Sequence, residues 1–484
     1  MASSCPGKGG AVMTDMTRNE FLRGALASFG AVGARSLFAM PPGWKPQGKP
    51  AFTFGVVADT HLRTSPRDGS VIDKDWTGTY FESALRHFKS RNIDAVVHCG
   101  DFAHLGQVVE MEAHAAIWRK VFPENKGNDG REVAKLFVTG NHEFCSHVGG
   151  NRGAFVRRLY PEQDRWNDAV LQVDTARKWR RIWGEEYGET WHREVCGFHF
   201  FGWQFQADLK KTAALLEECI ERHGLDGSAK PIFFIGHVPQ GRPRAIVEVL
   251  ERHGCRNAIT FYGHNHYSAA NMNTFVNASD TFTFINAPCC APWYGAVLLH
   301  DERISAAGKI EGRERAQSPH ARQGLVVNLY GGMMVVERHD LGNGGRLGPD
   351  LALPFEKREE HPWSWKTLKK TVGAPQFRKG AKLSVESSVS SQLRVSIPLA
   401  DGNPDSRVYA YEVVVVGDEG ATKLHKAVYA AGCNMGIGHE PNNGVTTLEI
   451  PNSELPPGKT LAIAARPLTS FGTSGKPIAT TFKT

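Results

Sequence analysis

Apolar residues fall in short blocks that stop abruptly at polar ones, and the blocks alternate between two periods. Residues 52–58 form a continuous apolar run ending at Asp59, the pattern of a strand buried on both faces. Residues 79–91 instead place Phe81, Ala84, Leu85 and Phe88 on one face of a helix. A second strand over 93–97 runs up to Gly100-Asp101, a helix follows over 108–121, and a third strand over 136–138 leads to Gly140-Asn141-His142. The alternation resumes with a strand at 198–205, a helix at 209–222, a strand at 231–235, a helix at 245–253 and a strand at 258–262. Segments 281–285, 325–329 and 333–337 predict further strands that close a sheet.

Repeated strand–helix units predict an α/β fold, a layered β-sandwich flanked by helices, over residues 50–355. Between His142 and Cys196 the chain is rich in Arg, Trp and Gly without clean periodicity, which predicts an insertion over one end of the sheets. Residues 356–376 read as a connector. From 377 to 484 helical spacing disappears, and strand-like runs at 395–399, 408–416, 446–450 and 461–465 are separated by Gly, Pro, Asn and Asp, which predicts a C-terminal all-β sandwich domain.

The 484 residues carry 57 Lys and Arg against 50 Asp and Glu, a net charge of +7. Residues 1–50 hold six basic and two acidic side chains, and residues 381–484 nine of each, leaving 42 basic against 39 acidic between them. A near-neutral body lacks the electrostatic footprint of a protein that grips many nucleic-acid phosphates, so nucleic acid is not the expected partner. The nine cysteines are odd in number and contain no CxxC pair, so they predict reduced, buried thiols; vicinal Cys289 and Cys290 read the same way. No apolar stretch reaches the ~18–20 residues of a membrane span. Residues 1–45 read as a leader: residues 17–23, Thr-Arg-Asn-Glu-Phe-Leu-Arg, resemble a twin-arginine export signal with Asn19 in place of its second Arg. That predicts export to the periplasm or exterior, with a cytoplasmic tail as the alternative.

Five apolar runs end in groups able to bind metal: Asp59-Thr60-His61, Gly100-Asp101, Gly140-Asn141-His142, Gly236-His237 and Gly263-His264-Asn265-His266. Ligands of open α/β sheets gather beyond the carboxyl ends of the strands. Carboxylate, imidazole and amide oxygen together suit Zn, Mn or Fe. The donors are too many for one tetrahedral ion and enough for two sharing a carboxylate, the arrangement that serves phosphoryl displacement. Asp59 and Asp101 are hard to explain otherwise, since an unpaired buried carboxylate is costly.

The ordered set resembles the calcineurin-like metallophosphoesterases, whose motifs are DxH, GD, GNH(E/D), a lone H and GHxH, and the resemblance runs from Phe52 to about Leu353. It implies that Asp59, His61, Asp101 and His266 hold one metal and that Asp101, Asn141, His237 and His264 hold the second. It also implies that His142 is a catalytic group rather than a ligand, stabilising phosphoryl charge or protonating the leaving oxygen, and that a metal-bridging hydroxide attacks phosphorus in line. Residues 458–478 resemble the last strands of a fibronectin-type-III-like sandwich.

Among the remaining candidates, His104 lies three residues past Asp101, where purple acid phosphatases carry a Tyr ligand, and is read as a substrate or site contact. Arg63 and Arg67 are placed to pair with phosphate or to form a solvated loop face, and Asn151, Arg152 and Trp166 fall in the presumed cap. His98 and His199 sit inside strands and are read as packing. The expected activity is hydrolysis of small phosphomonoesters or phosphodiesters. The alternatives are a metal-dependent nuclease of the same family or a non-catalytic exported binding protein that keeps the fold.

Overall fold

The computed structural model describes residues 48–62, 78–147, 174–238, 243–270, 275–277, 282–291, 322–342, 344–348, 350–356, 373–387, 392–401, 407–417, 420–440, 444–470 and 472–484. The leader, most of the connector, residues 148–173 of the 142–196 insertion, and Arg63, Arg67, Asn151, Arg152 and Trp166 lie outside the described residues. Among the described residues no helix is long and apolar enough to cross a membrane.

Two six-stranded mixed sheets form the first layer pair. In one, β1 (Phe52–Val57), β2 (Ala95–His98) and β3 (Ala134–Phe137) run parallel, while β10 (Gln323–Tyr330), β11 (Met333–Asp340) and β12 (Leu351–Pro354) add antiparallel strands, in the order β12-β11-β10-β1-β2-β3. The other sheet has the order β4-β5-β6-β7-β9-β8. Its parallel centre is β5 (Phe198–Trp203), β6 (Ile232–Ile235), β7 (Ala258–Tyr262) and β9 (Phe282–Asn286). Its edges, β4 (Thr190–Val195) and β8 (Phe275–Asn277), pair antiparallel.

The continuous apolar run of β1 is explained by burial on both faces. Phe52, Phe54, Val56 and Ala58 point between the sheets, and Val57 points toward the helices. Phe54 stands edge-on to Phe200, Phe233 and Phe261 at 5.6–5.7 Å, so one ring joins three strands of the facing sheet. Each such fully buried side chain contributes about 1.5–3 kcal/mol of transfer free energy. Helices α1 (Gly78–Ser90) and α2 (Val108–Val121) cover the first sheet. A Cβ at Gly55 would come within 2.5 Å of the Phe88 ring, which is why glycine interrupts this strand where α1 presses on it. The helix α3 is Thr175–Trp183, and α4 (Leu209–His223) and α5 (Arg244–Arg252) cover the second sheet. The ends of α4 are set by local chemistry: Asp208 accepts from the Lys210 amide at 3.0 Å, and Gly224 takes the left-handed cap at φ 60°.

The C-terminal region is all-β. A three-stranded sheet of β14 (Ser384–Ser387), β15 (Gln392–Ile397) and β19 (Thr446–Pro451) shares one core with a four-stranded sheet. The latter joins β17 (Ala410–Val416), β18 (Thr422–Tyr429), β20 (Thr460–Leu468) and β21 (Ile478–Lys483). A short pair, β13 (Gln376–Phe377) with β16 (Ala400–Asp401), flanks them. The unit docks through its 430–440 loop. Gln323 Nε2 donates to Asn434 O at 2.7 Å, and the Gly436 amide donates to Asp340 Oδ2 at 2.9 Å. Both contacts reach strands that close the first sheet, at the end of β10 and β11 beside the carboxyl end of β1: Leu325 pairs with Val56, Gln323 pairs with Asp340, and Gln323 Oε1 accepts from the Ala269 amide at 2.8 Å, three residues past His266.

Candidate metal centre

The parallel strands of both sheets end on one side of the molecule, and there the backbone leaves the extended region. Asp59, His61, Asp101, His264 and His266 adopt φ values of 52°, 43°, 57°, 71° and 55°. Left-handed backbone in residues other than glycine is uncommon, and several such residues at one site are held only where the surroundings impose them. Half of the ten such residues among those described belong to the five polar clusters.

Close backbone approach does the rest. Gly100, at φ 88°, would place a Cβ 2.6 Å from the Gly140 amide nitrogen, and a Cβ on Gly140 would lie 2.1 Å from Asp101 Oδ1. Only glycine at both positions lets the ends of β2 and β3 touch. Asp101 is then gripped from two sides. Its Oδ1 accepts from the His142 amide at 2.9 Å, while Oδ2 stands 3.2 Å from His237 Nε2, 3.7 Å from His61 Nε2 and 4.0 Å from His142 Nε2.

Oδ2 of Asp101 lies between two donor sets. On one side, ligand atoms of Asp59, His61, Asp101 and His266 all lie within 4.8 Å of one another, with His61 Nε2 and His266 Nε2 3.1 Å apart and His266 Nε2 3.5 Å from Asp59 Oδ1. On the other, Asn141 Oδ1 is 2.9 Å from His237 Nε2 and 3.0 Å from His264 Nδ1, and those two nitrogens are 3.3 Å apart. His237 Nδ1 donates to Cys99 O at 2.7 Å, which leaves Nε2 as the ring atom that faces Asn141 and Asp101. A ligating histidine is normally held in this way, by a second hydrogen bond that fixes its tautomer. Convergence of nitrogen and oxygen ligand atoms on each side of Asp101 fits a cation on each side.

Residues 52–268 match the family model described as Calcineurin-like phosphoesterase. The chain carries a calcineurin-like phosphoesterase domain. Solved structures similar to the chain include a dimetal phosphatase from Danio rerio, at 14% identity and a TM-score of 0.38, covering 64% of this chain and 100% of that one. A purple acid phosphatase from yellow lupin seeds follows at 13% identity and a TM-score of 0.36, covering 64% of this chain and 55% of that one. A predicted phosphoesterase from Streptococcus pneumoniae is 13% identical with a TM-score of 0.26, covering 63% of this chain and 97% of that one. A search of curated proteins gives no match.

The electrostatics of this candidate site follow from burial opposed by close charges. Burial works against charging His237, but Asp101 and Asp59 outweigh it and raise its pKa to about 9. Burial would likewise raise Asp101, yet His237 and His142 hold it well below the usual carboxylate range. Asp59 goes the other way: burial lifts it further than the nearby His237 can lower it, and Asp101 adds a smaller repulsion. The two carboxyls diverge because His237 lies against Asp101. His266 is pushed down to about 3 and His61 well down, first by burial, so both rings are neutral and present lone pairs.

Of the other predicted contacts, His104 lies beside the site. Its ring stacks on His142 with centroids 5.5 Å apart, and its carbonyl accepts from His142 Nδ1. Cys289 is buried with Sγ 3.4 Å from the Asp59 carbonyl, and Cys290 is buried next to it. His98 is buried in the wall, accepting from the Gly100 amide at 3.2 Å, with Nε2 3.1 Å from Thr60 Oγ1 and its ring stacked on Phe102.

Two residues central to the site carry no expectation from the sequence. Glu143 is buried and accepts from the backbone amides of Gly140, Asp101 and Ala103 at 2.6, 3.0 and 2.9 Å, stitching two ligand loops together. Burial first, then repulsion by Asp101, raises it to about 8 against those three donors. Lys178 of α3, also buried, donates to Gly106 O at 2.8 Å and Glu143 O at 3.0 Å and so anchors the turn that bears His142 and Glu143. The signal for Glu143 was its place directly after Gly140-Asn141-His142; Lys178 had none.

Proposed function

We propose that this domain is a dinuclear-metal phosphoester hydrolase acting on small phosphomonoesters or phosphodiesters. The observation that carries the reading is the position of Asp101 Oδ2 between two convergent donor sets. Asp59, His61, Asp101 and His266 would hold one cation and Asp101, Asn141, His237 and His264 the other, with Mn, Zn or Fe suited to the donors. Bound there, the pair would supply Lewis-acid charge to phosphoryl oxygens and acidify a water toward neutral pH.

The chain's own groups complete the chemistry. Because His142 Nδ1 is fixed on the His104 carbonyl, Nε2 is the atom that faces the site, 4.0 Å from Asp101 Oδ2. Protonated, it places an N–H where charge grows on a phosphoryl or leaving oxygen, and it can deliver that proton to the leaving group. Arg63 is retained as a phosphate contact and His104 as a site contact. The resemblance of the C-terminal unit to a fibronectin-III-like sandwich, its role as a packing module and export of the chain by its leader belong to the same proposal.

The test compares p-nitrophenyl phosphate, bis-p-nitrophenyl phosphate and single-stranded DNA with Mn or Zn added. Turnover of either small ester without DNA cleavage supports the reading. DNA cleavage moves the assignment to a nuclease, and inactivity on all three with metal bound moves it to a binding protein.

A further inference from the structure

A second group of metal-competent side chains lies on the outer face of the other sheet, at the opposite end of its strands. His199 pairs in register with Ile232, at the start of β6, and the candidate ligand His237 is five residues further on, on the order of 15 Å along the strand direction. In the β4–β5 hairpin Glu194 lies opposite His199, and His192, two residues earlier, shares that face. Helix α4 crosses over this face and presents Cys219 and His223, which at i and i+4 stand on one side of the helix.

The side chains converge. His192 Nε2 and His199 Nδ1 are 3.1 Å apart, and Cys219 Sγ lies 3.4 Å from the first and 3.5 Å from the second. For a tetrahedral zinc ion with Zn–N near 2.05 Å and Zn–S near 2.3 Å, the ligand atoms should lie about 3.3 Å apart for N–N and about 3.6 Å for N–S. All three observed separations fall close to those values. One hydrogen bond between the two rings would account for the first distance alone, whereas a common centre accounts for all three.

We propose that His192, His199 and Cys219 bind a transition-metal ion of the zinc class, separate from the phosphoesterase centre, that pins the edge hairpin to helix α4. The fourth place falls to His223 or Glu194, whose Nδ1 and Oε2 stand 3.8 Å apart on the open side. Cys219 and His199 are buried and His192 is half-buried, so the ion would be largely enclosed, as structural zinc is. Burial keeps His199 neutral, near pKa 4, and lifts the Cys219 thiol to about 11. Metal binding would therefore displace a proton from sulfur.

The experiment is titration of the chelator-stripped full chain with Co(II), followed by near-ultraviolet absorption and by metal content. The phosphoesterase donor set contains oxygen and nitrogen only, so a thiolate-to-cobalt charge-transfer band reports the proposed site. The wild type should show that band; Cys219→Ser should lose it and hold one equivalent of metal fewer. Cys289→Ser, beside Asp59, should keep both. His192→Gln, at the half-buried edge strand, supplies the same loss of band and equivalent where Cys219→Ser does not fold. Absence of the band in the wild type, or its survival in both Cys219→Ser and His192→Gln, overturns the proposal, as does its loss in Cys289→Ser alone. Failure of the phosphoesterase reading would instead remove turnover and leave the cobalt–sulfur band in place.

Discussion

Substituting Glu143 by Gln tests whether one buried carboxylate sets the geometry of the site. Its Oε2 accepts from Gly140 and Asp101, and its Oε1 from Ala103. With cations ligated by Asp101, the charge of that neighbour is matched, and three N–H donors favour the ionised form, which accepts at both oxygens. An amide has one acceptor oxygen. Turned to keep the Gly140 and Asp101 bonds, it sets its own NH2 against the Ala103 N–H; turned the other way, it loses two bonds. The milder case leaves one buried donor unsatisfied, a cost of about 1–3 kcal/mol. At roughly 2–4 °C per kcal/mol for a domain of this size, Tm should fall by about 2–12 °C. The Asp101 and Gly140 amides fix the loops that carry ligands, so displacement by about 1 Å should cost about 10²-fold in turnover. Thermal unfolding by circular dichroism, with bis-p-nitrophenyl phosphate turnover on the same metal-loaded samples, checks both. An unchanged Tm and turnover would mean that the group is a neutral acid donating its own proton, and the account of how the loops are held would fail.

Replacing His142 by Ala should lower turnover by about 10²–10⁴-fold while metal content measured by mass spectrometry stays at the wild-type level. Full activity there would remove His142 from the chemistry. Asp101→Asn should lose turnover and metal content together, since Oδ2 faces both donor sets; retention of both metals would contradict the shared ligand. Stability should fall in acid through His98, which burial depresses to about 3 from an ordinary 6.5. Because the folded chain keeps the ring neutral while the unfolded chain protonates it, this contribution is present above pH 6.5. It is lost as pH falls toward 3, at about 1.4 kcal/mol per pH unit. Urea unfolding of His98→Gln between pH 6 and 4 should show a slope shallower by one proton, and an identical slope would refute the assignment.

The strand-end clusters were legible because they depend on local pattern. A buried strand reads as an apolar run, and a polar residue that stops it marks the strand's end whatever the neighbouring strand is. Left-handed backbone at Asp59, Asp101 and His264 was not legible, since nothing in those residue types requires positive φ; the crowding of loops imposes it. The edge strands β4 and β21 escaped notice because each carries a mixed, half-exposed pattern. That omission had a consequence at His199, read as packing: its neighbours His192 and Cys219 come from β4 and α4, and only the register of a hairpin and the placement of a helix bring the three together. Lys178 illustrates the same limit, since its partners are backbone carbonyls 72 and 35 residues away.

The most direct measurement is anomalous diffraction from crystals of the Mn-loaded protein, recorded above and below the Mn absorption edge. Two peaks about 3.5–4 Å apart, flanking the Asp101 carboxylate and within bonding reach of the two donor sets, are the predicted result. A single peak, or none, with Asp59, His237 and His264 turned away from a common centre, would contradict the account.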